Sequence, residues 1–306
     1  STVDLGWEPQ LVLMKPSSAS GPWTILDSMR GWTGYGVGGN QPLRPNESIA
    51  EINNDASLGG LTSTGFYVEN VGTADYIYMA IRRPNKPAEE FEPDELFATA
   101  LREDVTYDYE SGFPVDMVLN RNPNVSGSNF TQVGSRLNQG RYVYTSGTAS
   151  GGANFYMEFD SNTRWGYNVP ADYQSWMFRR APGFFDVVRY EGDGVAGRQL
   201  PHNLGVKPDM MWVKCTTEVF DWQAAYCKKD MTYDGEGGWL LKLNTDAEWG
   251  FSNVFNAENP TDSYIPLNNS PATNFSGRGY IAYLWASVPG ICDIGTYTGN
   301  GATQEI

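Results

Sequence analysis

One phrase occurs three times in this chain: a proline, an apolar strand and a basic residue. It reads LGWEPQLVLMK around Pro9, SGFPVDMVLNR around Pro114 and LGVKPDMMWVK around Pro208, with separations of 105 and 94 residues. Recurrence at such a spacing constrains the fold more than any other feature, because each copy must then be one structural unit of roughly a hundred residues. A polar loop follows each proline, and then an aromatic opens a second strand: Trp23, Phe130 and Trp222, at 14, 16 and 14 residues beyond the prolines. Each copy closes on a Tyr-led apolar strand, YIYMAIRRP from Tyr76, YQSWMFRRAP from Tyr173 and YIAYLWASVP from Tyr280.

Between these phrases the chain is punctuated by 34 Gly and 18 Pro, and 14% of it is aromatic. Short apolar runs between turn residues predict strands, and several per copy predict a sandwich or barrel. The expected fold is therefore all-β: three tandem, mutually similar β-sandwich modules, jelly-roll or lectin-like, with few or no helices. The modules span 1–90, 91–182 and 183–290, and 291–306 is the opening strand of a following module or the closing strand of the first. The repeat also decides one local conflict. EPDELFATALRED (Glu92 to Asp104) has the propensity of a short helix, but it occupies the place of FFDVVRYEGDG in the next copy, and context overrides propensity. A strand is expected from Leu96 to Arg102.

Charge excludes some partners. With 21 basic and 36 acidic residues the chain carries −15, the wrong sign for contact with phosphate backbones, so no nucleic acid is expected. No apolar run approaches the ~18 residues of a spanning helix, so no membrane insertion is expected. The three cysteines, Cys215, Cys227 and Cys292, are too few and odd in number for a disulfide framework, and read as idle thiols.

The residues that carry chemistry elsewhere are sparse. His202, the one histidine, stands in a Pro-His-Asn turn and reads as a residue bonding to nearby backbone; no G-x-S-x-G elbow exists for it to serve. Gly34, Gly36 and Gly39 have dinucleotide-fingerprint spacing, but the prolines of NQPLRPN forbid the helix that would have to follow. Carboxylates gather in two loops, Glu103, Asp104, Asp108 and Glu110, and Asp234 with Glu236, without calcium-loop spacing. They read as solvated turn acids. No catalytic residue, cofactor or metal site is expected; Ca²⁺ is left open at these loops, unsupported by their spacing, and the chain reads as a non-enzyme. Arg82-Arg83 and Arg179-Arg180 end the Tyr-led strand in two copies and read as strand-end charges or as salt bridges to a neighbouring module.

Aromatics are the richest resource. Trp23, Phe130 and Trp222 are assigned to the core because they recur, whereas Trp7, Trp32 and Trp249 do not recur and are the candidate contacts for glycan or a protein partner.

The phrases GFFDVVRYEGDG…HNLGVKPDMMWVK, DLGWEPQLVLMK…WTILDSMRG and GYIAYLWASVPGICDIGTYTGNGATQEI resemble the repeat units of large proteins of tailed bacteriophages and prophages, usually labelled tail fibre or virion structural protein. The resemblance covers essentially the whole chain. It implies a non-enzymatic, β-rich component of the virion tail or fibre, extracellular once assembled. Its implied partners are other virion proteins, copies of itself and host cell-surface glycan. The alternative reading is a secreted or surface carbohydrate-binding, lectin-like protein or a polysaccharide depolymerase.

The two ends of the chain read as halves of one linker. Pro182 to Pro208 spans 26 residues, and the seventeen after Pro289 together with the nine through Pro9 match that span. Either the chain is one period of a longer array, or Ile291–Tyr297 completes the first module, of its own chain or of a neighbour. Because an unpaired apolar edge strand is a liability, this strand is expected to be paired.

Overall fold

The fold is seen in a computed structural model, which describes residues 1–33, 41–50, 52, 58–69, 72–101, 109–125, 131–153, 156–232, 239–248, 250–303 and 305. It is all-β, with antiparallel sheets and no α-helix among the described residues. The first stretch holds β1 (Thr2–Asp4), β2 (Pro9–Pro16), β3 (Thr24–Asp27), β4 (Gly60–Thr62), β5 (Gly65–Tyr67) and β6 (Tyr76–Arg82). The second holds β7 (Phe97–Leu101), β8 (Tyr109–Glu110), β9 (Met117–Arg121), β10 (Gln132–Ser135), β11 (Arg141–Tyr144), β12 (Gly152–Ala153), β13 (Arg164–Trp165) and β14 (Gln174–Phe178). The third holds β15 (Phe185–Glu191), β16 (Arg198–Pro201), β17 (Met210–Cys215), β18 (Gln223–Tyr226), β19 (Trp239–Leu241), β20 (Gly250–Phe251), β21 (Tyr264–Leu267) and β22 (Gly279–Trp285).

Two six-stranded sheets share one order. The second stretch gives β7-β14-β9-β10-β11-β12 and the third gives β15-β22-β17-β18-β19-β20. Among the described residues the first stretch has the middle of that order, β6-β2-β3, with Leu43 bridging Ile25 on the far side of β3. In each stretch a short strand ahead of the proline phrase pairs antiparallel with a later one: β1 with β5, β8 with β13 and β16 with β21.

Packing follows the strand period of two. In the third stretch Val188, Tyr190, Met211, Val213, Ala282 and Leu284 face one way, into a core closed by Leu200, Ile265 and Leu267 of the β16–β21 pair. Phe185, Val187, Ile281, Tyr283 and Trp285 face the other way, into a larger core shared with Val12 and Leu26 from the first stretch and Met117 and Val133 from the second. A sheet covered on both faces needs apolar residues on both. GYIAYLW of β22 is buried at all seven positions.

The LFATALR segment resolves as the position in the repeat requires. A 3-10 turn over Pro93–Glu95, capped by Glu92 and Glu95, takes up the helical propensity, and Phe97–Leu101 pairs with β14. Two other expectations need correction. Register identifies the residue equivalent to Trp23 and Trp222 as Thr131 rather than Phe130. Asp27, Ser135 and Tyr226 stand opposite Leu11, Met117 and Met210, so counting back four residues reaches Trp23, Thr131 and Trp222. The second copy has one extra residue between Pro114 and Met117 and two more between Met117 and Thr131, which move the loop offset without moving the ladder. Phe130 itself lies outside the described residues. The segment Ile291–Tyr297, expected to be paired, forms no strand: only Cys292 makes an isolated bridge, to Val288, and Gly295–Ala302 is exposed.

Candidate functional site

Two features stand out from the bulk of the sheets. The first is a buried ionic centre where the three stretches meet. Arg180, at the end of β14, grips Glu8 in a two-pronged ion pair, with Nη2 to Oε1 at 2.6 Å and Nη1 to Oε2 at 3.1 Å. Its backbone N–H donates to Asp116 Oδ2 at 2.7 Å. Its Nε lies 3.7 Å from Asp116 and 3.8 Å from Asp186. Arg136 approaches Asp116 at 3.4 Å, and Arg83 lies 4.0 Å from Asp186, whose other oxygen accepts from Asn203 N–H at 2.7 Å. Three guanidinium groups thus face three carboxylates.

Burial opposes the charge on all three arginines and decides the outcome for Arg83 and Arg136, whose pKa values fall. At Arg180 the attraction of Glu8, Asp116 and Asp186 outweighs burial and holds the proton more tightly than usual. A cavity of about 280 Å³ opens beside the cluster, lined by Glu8, Arg83, Asp116, Arg136 and Arg180. It falls below the ~300 Å³ at which small-molecule pockets begin, and Arg179 also lines it, so four arginines there face the carboxylates of Glu8 and Asp116. The geometry joins pieces of chain: Glu8 lies within the first repeat phrase, just before Pro9, Arg180 ends the second copy and Asp186 opens the third.

The second feature is the outer edge of β6. In the two six-stranded sheets the corresponding strands β14 and β22 are each flanked on both sides, whereas among the described residues β6 is paired with β2 alone. Ile77, Met79 and Ile81 on one face and Tyr78 on the other are 53, 50, 49 and 47% exposed. Through the shared register with the proline strand, Ile77, Met79 and Ile81 correspond to Ile281, Tyr283 and Trp285, which are 0, 0 and 8% exposed.

The residues singled out in the sequence are scattered. Trp32 is 1% exposed and packs on Phe66, so as a candidate glycan or partner contact it is corrected: its ring is core. Trp7 and Trp23 are half-buried, and Trp222 is fully buried with its Nε1 donating to Tyr144 O at 2.7 Å. Trp249, the Gly34–Gly39 run and Glu103, Asp104, Asp108, Asp234 and Glu236 lie outside the described residues. Glu110 is exposed. His202 is buried, with Nδ1 accepting from Leu204 N–H and Nε2 bonded to Thr261 O, both at 3.2 Å, and burial lowers its pKa. Cys215 and Cys227 are buried free thiols and Cys292 is a half-buried one. Among the described residues no three His, Cys, Asp or Glu side chains converge as metal ligands, and no helix is long and apolar enough to cross a membrane.

Sequence reasoning reached the paired arginines but missed their acids. The available signal was weak: an acid precedes or closely follows the repeat proline at Glu8 and Asp116.

Residues 178–305 match a family described as a domain of unknown function, DUF7483. That span runs from the end of β14 through the whole third stretch and into the segment after Pro289. No curated protein matches the chain, and no solved structure matches it.

Proposed function

We propose that the chain is a non-enzymatic structural component of a tailed-bacteriophage virion, a tail fibre or tail-associated protein that works through packing of repeated β modules. The observation carrying this reading is that the chain's most costly polar investment, the buried centre around Arg180, lies at the junction of the three stretches. Buried charges placed there tie strands of different copies together and give the junction a single geometry. The resemblance of the repeat phrases to virion proteins supplies the context. Mass spectrometry of purified virions and gold-labelled antibody on virion images test the proposal; absence of the chain from virions overturns it. Host-surface contact is a secondary element of the reading, and among the described candidates Trp7 is the exposed-side aromatic to probe. A glycan array with the protein and its Trp7→Ala variant tests that element.

A further inference from the structure

The chain makes the same turn twice. After β14 it runs Ala181-Pro182-Gly183-Phe184-Phe185, with an Ala181–Phe185 bridge and Gly183 at φ +87°. After β22 it runs Val288-Pro289-Gly290-Ile291-Cys292, with a Val288–Cys292 bridge and Gly290 at φ +76°. A backbone hydrogen bond repeats as well: Arg180 N–H donates to Asp116 at 2.7 Å and Ser287 N–H to Asp209 at 2.8 Å. From the first turn the chain continues as FDVVRYEGDG and enters the next sheet as β15, antiparallel to β22. From the second it continues as CDIGTYTGNG, which repeats the Asp, the Tyr and both Gly; among the described residues it pairs with no strand, while Cys292 and Ile294 pack against this chain's own core and Ile294 N–H donates to Ser287 Oγ at 3.1 Å. The consequence is clearest at the tyrosines. Tyr190 is 4% exposed, stacked on Tyr280 at 5.3 Å with its hydroxyl donating to Thr273 O, while Tyr297 is 68% exposed.

Among the described residues β6 has no strand in the place that β15 takes beside β22, and Cys292–Tyr297 is a strand phrase outside any sheet. We infer that Cys292–Thr298 of one copy adds antiparallel to the β6 edge of a second copy, so that copies join head to tail. The register follows from β15 on β22. Phe185 stands opposite Trp285 and Tyr190 opposite Tyr280, which places Cys292 opposite Ile81, Ile294 opposite Met79 and Tyr297 opposite Tyr76. The added strand covers the exposed face of Ile77, Met79 and Ile81 and supplies the main-chain partners that an edge lacks. A second contact comes with it: Gly183 N–H donates to Leu204 O at 2.7 Å, and the matching pair across copies is Gly290 with Leu5 of DLGWEP. The inference uses no virion context, so it stands or falls apart from the proposed function.

Register-specific crosslinking tests it. Phe185 and Trp285, the pair equivalent to Cys292 and Ile81, hold their ring centroids 5.1 Å apart, so these positions face each other on one side of the sheet. The full chain carrying Ile81→Cys, under mild oxidation, is expected to form a ladder of disulfide-linked oligomers on non-reducing gels, with the peptide containing Cys292 in each link. Ala80→Cys, whose side chain points to the opposite face, is expected to form none. An equal ladder from both variants, no ladder from Ile81→Cys, or an intrachain link alone overturns the inference. Sedimentation velocity supplies an independent readout. The wild-type chain is expected to associate as concentration rises, and Tyr297→Pro, at an exposed position whose change leaves the single chain folded, to weaken that association at least about tenfold. A wild-type chain that stays monomeric throughout, or a proline variant that associates equally well, also overturns it.

Discussion

Arg180 and Glu8 are separated by 172 residues, yet they form a two-pronged ion pair at 2.6 and 3.1 Å with side chains only 3 and 7% exposed. A charge-assisted pair of this geometry is strong, but its worth lies in what its loss leaves behind. Removing one member of a buried pair strands a charge and costs about 3–5 kcal/mol. Arg180→Ala is therefore expected to destabilise the chain by about that amount, since Glu8, Asp116 and Asp186 then face two arginines. Glu8→Gln keeps a hydrogen-bond acceptor and leaves Arg180 with two carboxylates, so its cost is expected to be smaller. Urea unfolding of both variants measures the difference; equal midpoints for Arg180→Ala and wild type would show that the centre ties nothing together.

Much of the fold was legible because the strand phrases are bounded locally. A proline opens each one, a basic residue closes it, and three concordant copies override a misleading local propensity, as at Phe97–Leu101. What could not be read is whatever depends on the ladder rather than on the string. The three extra residues between Pro114 and Thr131 hid Thr131 behind Phe130, because loop offsets count residues while sheets count register. Glu8, Asp116 and Asp186 were illegible as a site for a similar reason: no periodicity announces that residues 172, 64 and 6 positions from Arg180 converge on it. Trp32 failed as a surface candidate because the absence of a repeat says nothing about burial. The phrase after Pro289 repeats residues of β15, yet it forms no strand here, because pairing depends on an edge within reach and not on the phrase alone.

Lys214 is fully buried, with Nζ donating to Thr148 O at 2.9 Å and Phe220 O at 2.8 Å. Burial pushes its pKa down from 10.5 to about 8. Between those two pH values the unfolded chain holds a proton that the folded chain has lost, so this group makes stability rise with pH across that window. Below it the full penalty applies, on the order of 3 kcal/mol. Buried Tyr190 and Tyr283, whose pKa values burial raises, act in the opposite direction above pH 10. Comparison with Lys214→Met cancels them. Thermal unfolding between pH 7.5 and 9.5 is expected to show wild type gaining stability relative to the variant, and a constant gap would mean that Lys214 keeps its ordinary pKa.

Trp23 and Trp222 occupy the same register position, but their surroundings differ. Trp222 is fully buried, and its indole N–H reaches Tyr144 O in the second stretch, whereas Trp23 is half-buried. Trp222→Ala is expected to cost about 3–5 kcal/mol through the cavity it leaves, and Trp23→Ala about 1–2 kcal/mol. Chemical denaturation of the two variants ranks them. A larger loss at Trp23 would mean that the first sheet, rather than the junction of the second and third, limits stability.

Gly192 and Gly299 stand at the centre of the same phrase, YEGDG and YTGNG, and allow packing to be separated from sequence. A Cβ at Gly192 would lie 2.2 Å from Phe275 O and 2.8 Å from Asn274 C, both backbone atoms, so the Asn274–Phe275 loop would have to move. At Gly299 a Cβ meets nothing within 4 Å. Forcing a side chain against fixed backbone costs about 1–3 kcal/mol, so Gly192→Ala is expected to lower the unfolding midpoint by that much and Gly299→Ala to leave it unchanged. If the two substitutions cost the same, the loop around Gly192 yields freely, and the tight closure of β15 against β22 is not what holds Tyr190 in place.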